Sequence, residues 1–442
     1  MDNRLVSRIS KKAIPLKDTE DVVDEILALT RAAKFVLIGE ASHGTHEFYR
    51  HRAAITKRLI EKSNFSAIAV EADFPDAYRV NRYVRGAGND QTAEESLEDF
   101  RRYPLWMWRN ADVLDFVGWL RTFNDGRNPA RRVGFYGIDL YSLHSSMDAV
   151  LDYLDKTDAE AARRARYRYS CFEAFGEDPQ HYGYAASFDF TRSCEDEAVR
   201  QLTELRHRAV EYMNRDGFVA RDEYFFAEQN ARLVKNAEEY YREMFRGRVS
   251  SWNLRDRHMT ETIIALASHL ETQGMPPKIV VWAHNSHLGD ARATGMASRG
   301  EWNVGQLMRQ KFPDEVISIG FTTYSGTVTA TSNWDEPARR KRVNEGIDGS
   351  IEKIFHQTGL TKFFLDMGEA EIAGALSESM LERAIGVIYR PETELQSHYF
   401  DARVAGQFNA VIHFDHTRAV EPLDKVASWS HEDLPETFPA GM

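Results

Sequence analysis

Cysteine is almost missing from this sequence, with only Cys171 and Cys194 among 442 residues. Neither belongs to a metal-type spacing, and two cysteines in a chain this long give no disulfide framework, so a reducing, cytoplasmic setting is expected. No apolar run approaches about 20 residues, and the amino-terminal stretch leads into no apolar h-region. A membrane span and a secretory signal are therefore not expected. Long lysine and arginine blocks are absent too. The net charge of -12 steers the chain away from nucleic acid and anionic lipid. Several catalytic signatures are also missing: the G-x-S-x-G elbow, the G-x-x-x-x-G-K phosphate loop and the H-E-x-x-H helix. Ser42 and Ser286 adjoin histidines without standing in a nucleophile context, which disfavours a covalent serine mechanism.

What is present is a hydrophobic fraction of 43%, ample for a core. Apolar strands at 34–38, 66–70 and 132–136 alternate with helical patterns at 47–61, 74–84 and 111–123. That alternation predicts an α/β fold, a three-layer α/β/α core with a mostly parallel sheet. From 145 to 269 strand runs disappear and helices are expected at 199–214 and 223–245, with a turn at 214–217. The division is a first core part (1–144), a large inserted helical subdomain or lid (145–269) and a second core part (270–442). Strands resume at 278–282 and 316–321, the latter with 327–331 as its hairpin partner. Further strands are expected at 362–365, 385–389 and 408–413, before a loosely packed tail after Glu421.

Ligands bind outside the carboxyl ends of strands in such sheets. Glu40, Glu71 and Asp139 fall at ends of that kind. The loop from Glu40 to His46 holds a carboxylate and two histidines between Gly39 and the following helix. His43 is suited to general-base work because imidazole titrates near working pH, and a nearby glutamate could fix its tautomer. The loop His284-Asn285-Ser286-His287 follows another apolar strand, and its histidines could stabilise an oxyanion or bind a metal. Arg52, two turns into the helix launched by the first loop, could reach back toward the site or pair with Glu71. The strand of Glu71 should neighbour that of Glu40, because consecutive strands often pair. Trp106, Trp108, Asp139 and Tyr141 are the candidates for substrate binding. Tyr141, Tyr182, Tyr184 and Phe188 could give the inserted helices an aromatic wall over the site.

These blocks resemble the erythromycin esterase family. The resemblance rests on Gly39-Glu40-Ala41-Ser42-His43-Gly44, Arg52, Val70-Glu71-Ala72, Tyr136-Gly137-Ile138-Asp139 and Trp282-Ala283-His284-Asn285-Ser286-His287. The segment from Asn253 to Met259 adds to it. It implies a three-layer core of the EreA/ChaN type with an inserted helical part, and hydrolysis of a macrolide lactone. By motif, Glu40, His43, Arg52, Glu71, His284 and His287 would form the active site, with His43 activating water.

The expected function is thus a carboxylic ester hydrolase without a cofactor, acting on a small-molecule ester or lactone. Arg52, His284 or His287 would stabilise the oxyanion. One alternative uses the same Glu/His cluster to hold a divalent metal. Another is a non-enzymatic small-molecule-binding or stress-response module. The oligomeric state is not readable from the sequence.

Overall fold

The computed structural model describes residues 3–17, 19–173, 175, 179–188, 193–214 and 218–424. Parts of the expected 214–217 turn and of the carboxyl-terminal tail therefore lie outside the described residues. Strands are β1 (Ile14–Pro15), β2 (Phe35–Ile38), β3 (Ala67–Asp73), β4 (Gly134–Asp139), β5 (Ile279–Trp282), β6 (Val316–Ala330), β7 (Arg339–Val343), β8 (Lys362–Asp366), β9 (Met380–Arg383), β10 (Tyr399–Ala402) and β11 (Ala410–Thr417). Nine of them form one sheet in the order β1-β8-β11-β6-β2-β5-β3-β4, with β7 attached to β6. The run from β11 to β4 is parallel, whereas β1, β8 and β7 pair antiparallel. A separate ribbon pairs β9 with β10.

The neighbouring strands β2 and β5 are apolar at every position because both faces of the sheet are covered there. Phe35, Leu37, Ile279 and Val281 enter one core with Met147, Tyr240, Met259 and Leu266 of the helices that follow β4. Val36, Ile38, Val280 and Trp282 enter the other, with Phe48 and Leu59 of the helix His46–Ser63 and Phe116 of Ala111–Asp125. The described chain between β4 and β5 is built on helices, including Leu143–Thr157, Phe218–Met244 and Arg248–Thr272. The expected helix at 199–214 is broken in two, Glu195–His207 and Ala209–Met213.

Three strand expectations fail. Residues 327–330 continue β6 instead of returning as a hairpin, and β7 is the returning strand. The chain does not turn at Gly326; that glycine lets β6 pass so close to β11 that an added Cβ would meet the Thr417 carbonyl. Residues 385–389 form no strand, because Ile385 and Ile388 each make one isolated bridge, to Ser42 and Thr331. Ile385, Val387 and Tyr389 are buried at alternate positions without strand pairing, which mimics a strand pattern. Finally, β3 is not beside β2: β5 lies between them, placed there by a long-range crossover that sequence adjacency cannot foretell. Cys171 and Cys194 are joined as a disulfide, contrary to the expectation from their number.

Candidate active site

Register explains why distant motifs meet. Ile38 of β2 pairs with Trp282 of β5, and Trp282 in turn pairs with Val70 of β3. Val70 pairs with Gly137 of β4. Four neighbouring parallel strands thus end level and deliver Glu40 with His43, His284 with His287, Glu71, and Asp139 to one sheet edge. The two histidine loops are tied by the Asn285 backbone N–H, which donates to the Glu40 carbonyl at 2.8 Å. Gly39 is required here by proximity, since a Cβ would overlap the Asn285 side chain.

His43 is 3% exposed. Its Nδ1 lies 3.0 Å from Oε1 of Glu40. A carboxylate only accepts, so this contact places a proton on Nδ1 and leaves Nε2 as the basic nitrogen. Oε2 of Glu40 is 3.2 Å from Nη1 of Arg52. The Arg52 guanidinium is wholly buried, 4.5 Å from the Tyr49 ring centre and 4.7 Å from that of Trp282. Its ion pair is therefore with Glu40, not with Glu71, and it stands behind Glu40 from the side of His43. The helix His46–Ser63 starts directly after the loop, which brings its second turn back under Glu40.

A second buried network surrounds Glu71. Arg255 donates from Nη2 to Glu71 Oε1 at 2.9 Å and to Asp139 Oδ2 at 2.7 Å, and from Nε to Asp139 Oδ1 at 3.0 Å. His287 sits between Asp256 (Nδ1 to Oδ2, 2.9 Å) and Glu71 (Nε2 to Oε1, 3.3 Å), with its face stacked on Trp252. Burial works to lower the His287 pKa, but Asp256 and Glu71 together hold it up at about 9. Burial likewise works to raise Glu71, yet His287, His43 and Arg255 bring it well below the usual carboxylate range. His287 and Arg255 are thus favoured as cations and Glu71 and Asp139 as anions, while burial pushes Asp256 up against the pull of His287.

His284 behaves differently. Its backbone N–H donates to Glu71 Oε2 at 2.8 Å. Nδ1 accepts from the Ser286 backbone N–H at 3.2 Å and lies 2.8 Å from the Ser286 hydroxyl. Burial and the neighbouring His43 push its pKa well down, so the ring is neutral with its one proton on Nε2. That buried nitrogen makes no hydrogen bond of ordinary geometry, though the Ala41 backbone lies close enough to favour its proton, and the ring centre is 4.8 Å from that of His43.

A cavity of about 40 Å³ opens on this arrangement, lined by His43, Glu71, Asp139, Arg255, Arg102 and Trp108 among others. At roughly 10–15 Å³ for each water position, it holds about three waters. Trp108 also donates from Nε1 to the Glu71 carbonyl at 3.2 Å. Trp106 is not at this cavity. It lines a different one with Pro337 and Val420, because its position in the short turn Leu105–Met107 points it away from Trp108. Tyr141 lies under the Arg255 and Arg102 guanidinium groups, at 4.8 and 4.7 Å. Tyr182 hydrogen-bonds Glu238 within the helical layer, while Tyr184 and Phe188 are exposed beside one another. None of these last three lines the cavity.

Arg255 and Asp256 were not among the residues singled out for chemistry. A signal was available: an Arg-Asp pair on a helix face otherwise made of Trp252, Met259 and Ile263, where charge is costly without partners. Their presence also bears on a metal. Among the described residues no three His, Cys, Asp or Glu groups converge as ligands. Glu71 and His287 are already committed to Arg255 and Asp256, and the guanidinium takes the place beside Glu71 that a metal ion would need. The donor set does not fit a metal centre.

Comparison with known proteins places the chain in a family and matches its fold. A family model described as erythromycin esterase matches residues 60–417. A relative from Escherichia coli, named erythromycin esterase type II, is 22% identical over 381 residues, covering 81% of this chain and 87% of its own. A crystal structure of a Bacillus cereus protein matches with a TM-score of 0.79 at 19% identity, covering 96% of this chain and 99% of its own. A mutant of the erythromycin esterase EreC, in its open conformation, matches with a TM-score of 0.64 at 16% identity, covering 96% and 99%.

Proposed function

The chain belongs to the erythromycin esterase family, and from that premise we propose that it hydrolyses an ester or lactone with His43 as general base. The observation that carries this reading is the Glu40–His43 contact, which leaves Nε2 of His43 as the basic nitrogen of a ring that lines a water-sized cavity. A water there gives its proton to Nε2 and attacks the carbonyl carbon. Glu40 balances the imidazolium that forms, and Arg52 holds Glu40. When the carbon–oxygen bond breaks, the same proton passes from Nε2 to the departing alkoxide.

Negative charge on the carbonyl oxygen needs its own donor, because Arg255 at the cavity wall is already engaged by Asp139 and Glu71. The Nε2–H of His284 is the donor we assign to that oxygen. It is sealed in the arrangement described, so the rings of His43 and His284 must part as substrate enters. Glu71 and His287 act by fixing the loops and the charge pattern around them. A substrate of macrolide size would lie mostly outside the small cavity, in the larger groove that adjoins it, whose volume of about 760 Å³ is in the usual range for organic ligands. The macrolide assignment and the EreA/ChaN subclass rest on family membership.

The test is a hydrolysis screen spanning macrolides and simple acyl esters, run on wild type and His43→Ala with and without chelator. Turnover by wild type that survives chelation and is lost in the variant supports the reading. Stoichiometric metal whose removal abolishes turnover contradicts it.

A further inference from the structure

The larger groove runs between the helix Phe74–Val84 and the helices Leu143–Thr157 and Phe218–Met244. Asp73, Asp76 and Arg102 line both it and the His43 cavity. They are the passage from one to the other, and any substrate that reaches His43 from the groove passes them.

The charges in that passage are unequally satisfied. Asp73 is 5% exposed; its Oδ2 receives Nε of Arg102 at 2.8 Å, but its Oδ1 is buried and makes no hydrogen bond. Asp76, in the first turn of the next helix, forms no ion pair among the described residues. Arg102 and Arg101 act on Asp76 only from beyond ion-pair distance. Arg102 is held by Asp73 with its face on Tyr141. Arg79 is held by Asp90 at 2.8 Å and Asp99 at 2.6 Å. Burial, and for Asp76 the adjacent Asp73, push both carboxyls above their ordinary range. A buried acceptor without a donor is costly, and so is a second carboxyl whose only cations, Arg102 and Arg101, stay beyond ion-pair distance. A ligand bringing an N–H and a positive charge would relieve both. Tyr78 and Phe226, stacked with ring centres 3.9 Å apart, give the adjoining wall an apolar aromatic surface.

We propose that Asp73 and Asp76 form a cation-recognition subsite at the mouth of the His43 cavity, taking a protonated amine carried on the substrate. The ammonium N–H donates to Asp73 Oδ1 while Asp76 supplies the counter-charge, and the hydrocarbon beside the nitrogen packs on Tyr78 and Phe226. The link between this subsite and turnover rests on the proposed hydrolysis at His43; binding of the amine does not.

The experiment uses two matched pairs of probes. Calorimetry compares benzylammonium with benzyl alcohol, and steady-state kinetics compares 4-(aminomethyl)phenyl acetate with 4-(hydroxymethyl)phenyl acetate. Wild type should bind the ammonium at least about tenfold more tightly than the alcohol, a tenfold step corresponding to about 1.4 kcal/mol. Asp76→Asn should abolish that preference, and Asp76→Lys should move it to benzoate. Equal binding of the amine and the alcohol by wild type overturns the proposal, and so does a preference that survives Asp76→Asn. A cation preference in binding with neither ester turned over supports the subsite and contradicts the hydrolase reading. Turnover of both esters at equal kcat/KM contradicts the subsite and leaves the hydrolase reading standing.

Discussion

Glu40 holds His43 from below: its Oε1 is 3.0 Å from the imidazole Nδ1, and both side chains are almost wholly buried. The contact selects the tautomer with a basic Nε2 and offsets the charge gained when that nitrogen takes a proton. Glu40→Gln keeps the shape and removes the charge. Its kcat on the true substrate should fall about 10²-fold or more, by analogy with loss of the orienting carboxylate in other His-based hydrolases. Unchanged kcat in a correctly folded variant would reduce Glu40 to a loop-building role.

Arg52 touches Glu40 and does not line the cavity, so it acts through Glu40. The effects of Arg52→Met and Glu40→Gln on log kcat should therefore be strongly non-additive in a double-mutant cycle. Additive losses would mean that Arg52 reaches the substrate by another route.

Arg255 neutralises Asp139 and Glu71 in the interior. Arg255→Met strands the buried Asp139 and leaves Glu71 with His287 alone as its cationic partner, and urea denaturation should show a loss of about 3–5 kcal/mol. Arg255→Met,Asp139→Asn should recover part of it. No recovery would show that Asp139 is not the group left stranded.

His287 gives a pH dependence of stability. Its pKa rises from an ordinary 6.5 to about 9 on folding, so its contribution is complete below about pH 6.5 and disappears as pH passes 9. The loss is on the order of 3 kcal/mol. Thermal melting between pH 6 and 9.5 should fall in wild type and fall less in His287→Gln. Identical slopes would mean that His287 does not hold the extra proton.

Much of this was legible before any coordinates. The helix Phe74–Val84 and the strand ends at Glu40 and Asp139 follow from apolar periodicity and the polar residues that stop it, whereas β3 runs past the expected end, through Glu71 to Asp73. Strand order did not follow, because β5 reaches its place between β2 and β3 only after the helical insertion. Partner choice was equally hidden: Arg52 could have faced either glutamate, and register decides for Glu40. Arg255 and Asp256 sit in a helix whose buried face includes Trp252 and Met259; only its docking against β4 shows that the two charges meet Asp139 and His287. Trp106 and Trp108, two residues apart, serve different cavities because a single tight turn separates them.

The account turns on His43, and steady-state kinetics of His43→Ala on an ester hydrolysed by wild type tests it most directly. Circular dichroism serves as the fold control, with Trp106→Phe and Trp108→Phe for comparison. General-base catalysis contributes roughly 10²- to 10⁴-fold, so kcat of the folded His43→Ala variant should drop by that order, well beyond either tryptophan variant. Near-wild-type kcat in His43→Ala, with activity lost instead in His284→Ala or His287→Ala, would contradict the account and move the base to the second histidine loop.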